Sequence, residues 1–402
     1  MALLVVKFGG TSVGDIERIK NVAKKVKKVK EEGNQVVVVV SAMSGNTDYL
    51  INLGKQITSN PNKREMDMLV STGEQISIAL LAIALNDIGA KAISFNALQV
   101  GIKTTADYTK AKILDIDTTR IRKALDEDYI VVLAGFQGVD ENLNITTLGR
   151  GGSDTTAVAV AAALKADRCD IYTDVDGVYS ADPRIVPNAK KYDVITFDEM
   201  LELASLGAKV LHDRSVMFAM KYNVPLRVLS TFVENEGTLI VKEYKGMENM
   251  VVSGIAKKND EVRISIQGVP DKPGIAAQIF KRLAEKKINV NMIVQSVGHY
   301  GKSEIAFTIL NTDLVDAKPL MEELKKEVNA TDVSYDENIG IVSVVGIGMK
   351  TTFGVAAAVF EELAKHNINI EMISTSEIKI SVVVRKDLVD KAVQVLHARF
   401  IG

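Results

Sequence analysis

Cysteine is almost absent. Cys169 is the single one in 402 residues, so no intrachain disulfide can form and a reducing compartment is expected. It follows Ala166-Asp167-Arg168 at the head of a strand pattern, where a small core residue fits better than a nucleophile. Histidine is scarce too: there are four, none at the spacing of zinc ligands, which argues against a zinc site. Charge of one sign is not in excess. Lys and Arg number 49 against 51 Asp and Glu, a net charge of −2, so no global attraction to nucleic acid or to anionic membrane is expected. The apolar run Val36 to Val40 is far too short to span a bilayer, and no signal-like segment opens the chain. Neither a Walker loop nor the dinucleotide fingerprint is found. Gly9 and Gly14 have the Walker separation, but Asp15 and Ile16 stand where Lys and Ser/Thr are required.

With 47% hydrophobic and 25% charged residues, the composition is that of a soluble globular chain long enough for two or three domains. The stretch Leu3-Leu4-Val5-Val6-Lys7-Phe8-Gly9-Gly10-Thr11-Ser12 organises it. An unalternating apolar run suits a strand covered on both faces. A lysine, two glycines and a helical pattern follow. Such a turn offers bare N–H groups and a positive helix end to a phosphate, with Lys7 beside it as a point charge. The same residues also fit a tight turn with a surface lysine. The basic run Lys24 to Lys28 is the wet face of that helix, because Ile16, Ile19, Val22, Val26 and Val29 recur at three- and four-residue steps.

The pattern then repeats. The helix over 15–32 ends at Gly33, and strand Val36–Val40 empties into Ser41-Ala42-Met43-Ser44-Gly45-Asn46-Thr47, at the carboxyl end where open α/β sheets place ligands. Ser71-Thr72-Gly73-Glu74-Gln75 precedes a long apolar helix over 76–88. Glu74 there either complements the helix dipole or receives a substrate ammonium. Strands follow at 91–95 and 130–133. Gly149-Arg150-Gly151-Gly152-Ser153-Asp154 is a second glycine loop opening a helix, which ends near Leu164. Two such loops in one domain suggest an anionic ligand gripped from two sides. Strand 169–173 leads into Thr173-Asp174-Val175-Asp176-Gly177-Val178-Tyr179 and then Ala181-Asp182-Pro183-Arg184. Alternating strands and helices from 3 to about 230 predict a mostly parallel sheet with helices on both faces.

The chain changes character over 231–262, and a domain boundary is expected near 245. Beyond it lies an 80-residue repeat. Gly274, Ala276, Ala277, Phe280, Leu283, Ala284, Ile288, Asn289, Met292 and Ile293 recur as Gly354, Ala356, Ala357, Phe360, Leu363, Ala364, Ile368, Asn369, Met372 and Ile373. Each copy reads as strand, turn, amphipathic helix and strand.

In order, KFGGTS (7–12), SAMSG with Thr47, STGEQ (71–75), GRGGSD (149–154), TDVDGVY (173–179), ADPR (181–184) and GAKVLH (207–212) resemble the aspartate kinases of the amino-acid kinase superfamily. The resemblance covers essentially the whole chain. It implies an α/β fold: an αβα sandwich kinase domain over 1–245 with a mainly parallel sheet, then two ferredoxin-like βαββαβ ACT domains. The first repeat is expected over 246–335 and the second over 336–402, with a C-terminal strand available to complete the first. It implies transfer of the ATP γ-phosphoryl to the β-carboxylate of L-aspartate, giving 4-phospho-L-aspartate and opening lysine, threonine and methionine biosynthesis. Mg²⁺ enters with ATP, so no protein metal ligand is named.

By the same resemblance Lys7 is the transition-state lysine, Asp154 organises the catalytic lysines, and Ser41, Thr47, Glu74, Arg150 and Ser153 hold substrate. Arg150 would grip the α-carboxylate and Glu74 the ammonium. Lys7, Phe8, Gly9, Gly10, Thr173, Asp174, Tyr179, Arg184, Lys209 and Val210 match the nucleotide pocket. Effector-facing positions are Asp271, Lys272, Pro273, Gly274, Ile275, Ala276, Asn289, Val290, Asn291 and Gln295 in the first repeat, and Asn369, Ile370, Ser376 and Glu377 in the second. Lysine, threonine or both are the implied inhibitors, in a cytoplasmic homo-oligomer paired through its ACT domains, with no nucleic acid or membrane partner. Another amino-acid kinase, such as an acetylglutamate or glutamate kinase, and a catalytically inactive amino-acid sensor are the competing readings. The repeats and Glu74 weigh against the first. Intact Lys7, Glu74, Arg150 and Asp154 weigh against the second.

Overall fold

The computed structural model describes residues 1–206, 210–244, 251–296 and 301–402. They fall into two compact units. The first holds Met1–Val178, Lys191–Ser205 and Lys209–Lys245, and the second holds Tyr179–Lys190, Leu206–Ala208 and Gly246–Gly402.

The first unit runs β1 (Leu3–Phe8), α1 (Ile16–Glu31), β2 (Gln35–Val40), α2 (Asn46–Ile57), α3 (Lys63–Val70), α4 (Thr72–Asp87), β3 (Ala92–Phe95), β4 (Ile102–Thr104), β5 (Ile113–Ile116), α5 (Thr119–Asp126), β6 (Ile130–Ala134), β7 (Gln137–Val139) and β8 (Ile145–Thr147). It continues with α6 (Gly152–Leu164), β9 (Arg168–Thr173), β10 (Val194–Thr196), α7 (Phe197–Ser205), α8 (Asp213–Tyr222), β11 (Leu226–Ser230) and β12 (Thr238–Val241). Eight strands form one sheet in the order β10-β12-β11-β9-β1-β2-β6-β3, parallel except where β11 meets β12. β1 lies inside it, Lys7 pairing with Val39 on one side and Ile171 on the other.

The absence of alternation in β1, β2 and β6 has its expected cause. Val5, Val6, Val36 to Val40 and Val131 to Leu133 are all within 1% of full burial, so both faces are covered. On one face Val6, Phe8, Val38 and Val132 pack with Ile19, Val22 and Val26 of α1 and Ile78, Leu81 and Leu85 of α4. A smaller sheet, β5-β4-β7-β8, is built partly from three-residue strands that the sequence pattern does not reveal. Cys169 is fully buried in β9, and burial pushes its thiol well up, as suits a core residue.

The second unit runs β13 (Gly254–Lys258), β14 (Glu261–Pro270), α9 (Ile275–Glu285), β15 (Val290–Gln295), β16 (Lys302–Leu310), α10 (Leu314–Glu327), β17 (Asp332–Asp336), β18 (Ile339–Val345), α11 (Val355–Lys365), β19 (Met372–Thr375), β20 (Lys379–Arg385) and α12 (Val389–Phe400). The repeat appears as two antiparallel sheets, β15-β16-β14-β17 and β13-β18-β20-β19. The first module is a complete βαββαβ unit, and among the described residues no C-terminal strand joins its sheet. The exchange runs the other way. β13, which precedes the first module, adds antiparallel to β18 and supplies the fourth strand of the second module's sheet.

Candidate active site

Lys7 leaves the end of β1, and its Nζ stands 2.5 Å from Asp154 Oδ1. Asp154 lies in the first turn of α6, where the helix dipole favours a carboxylate. The contact is close but off-axis for a hydrogen bond, so charge rather than hydrogen-bond direction holds it. Lys7 is 9% exposed. The carboxyl ends of β1 and β6 and the start of α6 therefore meet at one point, which neither glycine loop reveals alone.

The loops are shaped by close approach. A Cβ on Gly10 would lie 2.9 Å from the Ala42 carbonyl oxygen, so only glycine allows the first loop to touch the Ser41–Gly45 stretch. Gly149 and Gly151 have φ of +76° and +66°, and a Cβ on Gly151 would fall 2.2 Å from His212 Cγ. The second loop is thus a left-handed pair separated by Arg150. That arrangement turns Arg150 outward: it is exposed and has no hydrogen-bond or ion-pair partner among the described residues. Ser153, the residue immediately before the Lys7 partner Asp154, is 8% exposed.

Glu74 is 2% exposed. Its Oε1 accepts from Ala42 N at 3.0 Å, while Oε2 has no hydrogen-bond partner among the described residues. Burial outweighs the hydrogen bonds and pushes the carboxyl up from 4.5 to about 7. A buried carboxylate oxygen without a donor is an acceptor in search of a cation. Ala42 follows Ser41, whose own N donates to Phe8 O at 3.2 Å, so Glu74 is tied to the same crossing of β1 and β2. Thr47 is half-buried in the first turn of α2.

The nucleotide-matching residues divide. Phe8 has its ring buried and stacked on Tyr172, centroids 4.6 Å apart, which leaves only its backbone to a ligand. Gly9 N donates to Tyr172 O at 3.4 Å. Thr173 Oγ1 donates to Asp174 Oδ1 at 2.9 Å, at the exposed end of β9. Val210 is half-buried ahead of α8, and Lys209 lies outside the described residues. Tyr179 and Arg184 belong to the second unit, where Arg184 Nη2 donates to Asp182 Oδ2 at 2.7 Å.

Three supporting residues escaped the sequence reading. Asp67 is fully buried and accepts from Thr109 N, Thr147 N and Thr147 Oγ1 at 2.7–2.9 Å, anchoring the strand that leads into the arginine loop. Gln137 Nε2 donates to Ser71 O at 3.0 Å, tethering the residue ahead of α4. Arg214 donates to the carbonyls of Leu148 and Ala111, both at 2.8 Å, clamping the loop from outside. Each lies in an ordinary surface-type pattern, and only long-range packing gives it this role.

In the second unit Asp271 to Ala276 and Gln295 line one cavity of about 320 Å³ with Val269, Ser303 and Ile305. Gly274, at φ +97°, turns the chain into α9 there. Asn289, Val290 and Asn291 are not among its walls. Asn291 Nδ2 instead donates to Glu261 Oε1 at 3.4 Å. In the second module Asn369 is exposed and Ile370 half-buried ahead of β19, and Ser376 and Glu377 are exposed in the β19–β20 turn, where Glu377 pairs with Lys350 at 2.9 Å.

Residues 2–230 match the amino acid kinase family, and residues 262–329 and 342–400 each match an ACT domain. The chain is 55% identical over its whole length to an aspartate kinase of Pseudomonas putida, covering 98% of that protein. It is 54% identical to an aspartokinase of Helicobacter pylori, with 98% of each chain covered. Among solved structures it resembles E. coli aspartokinase III in complex with aspartate and ADP over the full length of both chains, with a TM-score of 0.86 at 27% identity. The lysine- and aspartate-bound T-state of that enzyme matches with a TM-score of 0.78. A family model spanning over half the chain and relatives this similar end to end leave one assignment: the chain belongs to the amino acid kinase family as an ATP-dependent aspartate kinase with two ACT domains.

Proposed function

We propose that the chain transfers the γ-phosphoryl group of Mg·ATP to the β-carboxylate of L-aspartate, forming 4-phospho-L-aspartate and ADP. The observation that carries this reading is the Lys7–Asp154 ion pair at the glycine loops, and the buried Glu74 Oε2, which has no hydrogen-bond partner among the described residues, supports it. An acyl-phosphate-forming kinase must bring two anions together, so it needs cationic stabilisation more than a base. The attacking carboxylate is already ionised at neutral pH. Lys7 and the N–H groups of both glycine loops stabilise the transferring phosphoryl, and Asp154 holds Lys7 in place. Glu74 receives the substrate ammonium, Arg150 forks the α-carboxylate, and Ser41, Thr47 and Ser153 complete the substrate site. Mg²⁺ rides on the phosphates of ATP. Thr173, Asp174, Tyr179, Arg184, Lys209 and Val210, with the backbone of Phe8, Gly9 and Gly10, serve the nucleotide.

The catalytic domain spans 1–245 and the ACT repeats 246–335 and 336–402. The product feeds lysine, threonine and methionine synthesis in the cytoplasm, and the ACT modules, paired in a homo-oligomer, sense lysine, threonine or both. The cavity at Asp271–Ala276 has the size of an amino-acid site, and the lysine complex of the E. coli enzyme favours such a ligand. A coupled assay of ADP release with L-aspartate, L-glutamate and N-acetyl-L-glutamate tests the substrate. The expected result is turnover with aspartate alone. Preferential turnover of either other acid would overturn the assignment.

A further inference from the structure

Residues 179–190 continue β9 in sequence but pack in the second unit. The two ends of the excursion are joined within the first unit. Tyr192 N donates to Val178 O at 2.9 Å. Val178 N donates to the buried Thr238 Oγ1 at 2.8 Å, and Thr238 Oγ1 donates to Tyr192 O at 2.5 Å. Val178, the last residue of the Thr173–Val178 turn, and Tyr192 at the foot of the excursion are therefore joined through each other and Thr238.

Within the second unit the loop is closed by Ser180 N donating to Lys190 O at 2.9 Å, and by Lys190 N donating to Ser180 Oγ at the same distance. Helix α12 and the residue that follows it then hold it at three points. His397 Nε2 lies 2.8 Å from Ser180 Oγ, Gln394 Nε2 donates to Ile185 O at 3.0 Å, and Ile401 O accepts from Lys190 Nζ at 2.8 Å. Ala181 and Val186 are buried in the same apolar cluster as Val393 and Leu396.

His397 is the unusual member. It is 1% exposed, and its Nδ1 has no partner among the described residues. Burial, with the Lys190 ammonium adding to it, pushes the imidazole below its ordinary value. A histidine in an apolar cluster with one ring nitrogen unsatisfied is costly unless the other bond matters. That other bond is to Ser180, a residue that belongs by sequence to the catalytic half of the chain.

We propose that His397 is a positioning residue for the nucleotide: through Ser180 it fixes the 179–190 loop and, by chain continuity, the Thr173–Val178 turn. The second ACT module thereby sets affinity for the nucleotide rather than for aspartate. This rests on the reading of Thr173 and Asp174 as nucleotide contacts. Removing the joint frees the loop from α12, and the turn loses part of its preorganisation.

The test uses the full chain with His397→Leu, Ser180→Ala and His397→Gln, the last because a glutamine amide can restore the bond to Ser180 Oγ. ADP affinity is measured by titration calorimetry, and KM for ATP and for aspartate by initial rates. The expected result is a rise of roughly threefold to tenfold in ADP Kd and ATP KM for His397→Leu and Ser180→Ala, the scale of one net hydrogen bond. The aspartate KM at saturating ATP should stay within about twofold, and His397→Gln should return toward the parent. If His397→Leu does not fold, Ser180→Ala carries the measurement. Unchanged ADP affinity in folded variants, or equal rises in both KM values, would overturn the positioning role while leaving the aspartate kinase reading standing. A parent chain that fails to bind ADP would instead overturn the nucleotide reading beneath it.

Discussion

Lys7 Nζ and Asp154 Oδ1 stand 2.5 Å apart although 147 positions separate them in sequence. One comes from the end of a central strand and the other from the first turn of a helix. A cation parked on a carboxylate beside two glycine loops is preorganised for a third, anionic party, because it needs no reorganisation when charge develops there.

Lys7→Ala is therefore expected to reduce kcat by about 10² to 10³, the usual scale for one preorganised charge-stabilising group, with little change in either KM. The fold should persist, since Lys7 sits at the end of β1 rather than in its apolar run, and circular dichroism checks that. Normal turnover in the folded variant would remove Lys7 from the catalytic set.

If Glu74 receives the substrate ammonium as proposed, aspartate binding should depend on pH. Its carboxyl titrates near 7 because it is buried, and only the ionised form pairs with an ammonium. Aspartate KM should fall as pH rises from about 6 to 8, and Glu74→Gln should raise KM and flatten that slope. Stability of the ligand-free protein should move the opposite way. A carboxyl raised in the folded state binds more protons folded than unfolded, so stability declines as pH rises from 4.5 to about 7, and the Gln variant lacks that component. A KM profile with the same slope in parent and variant would place the titrating group elsewhere.

Arg150→Lys should raise the KM for aspartate by at least roughly tenfold and that for ATP far less, because lysine keeps the charge but loses the planar fork. Thermal stability should be unchanged, as Arg150 is exposed and without a partner among the described residues. Equal effects on both substrates would mean that Arg150 serves the phosphates.

Effector control should be separable from catalysis. Ala276→Phe fills the first-module cavity, and Ser376→Tyr alters the exposed β19–β20 turn. Both variants should keep near-parent activity without effector and lose inhibition by lysine or threonine. The loss expected corresponds to a coupling of about 1–3 kcal/mol, or roughly 5- to 150-fold in apparent effector strength. Inhibition curves identical to the parent's in both variants would detach these positions from sensing.

The sequence made some of this architecture legible and hid the rest for physical reasons. β1, β2 and α6 could be read because runs such as Val36–Val40 and the alanine-rich stretch after Asp154 carry their burial in their own composition. The two modules could be read because Gly274 and Gly354, Leu283 and Leu363, and Ile288 and Ile368 repeat at one offset. β4, β7 and β8 could not, since three residues are too few to show a period. The addition of β13 to the second sheet was equally invisible: its partner β18 lies more than 80 residues away, and strand pairing at that range leaves no local mark. Asp67 and Arg214 look like ordinary charged helix residues until packing buries one under Thr109 and Thr147 and brings the other to Leu148 and Ala111. Ser180 reads as part of the catalytic sequence, and only the folded packing places it in the unit that contains His397.

Trapping the acyl phosphate with hydroxylamine tests the proposed reaction. The chain is incubated with Mg·ATP, L-aspartate and hydroxylamine, which converts an acyl phosphate to a stable hydroxamate. β-Aspartyl hydroxamate should form in step with ADP, depend on aspartate and be largely lost in Lys7→Ala. ADP release at the same rate without aspartate, or with no hydroxamate formed, would contradict the proposed reaction.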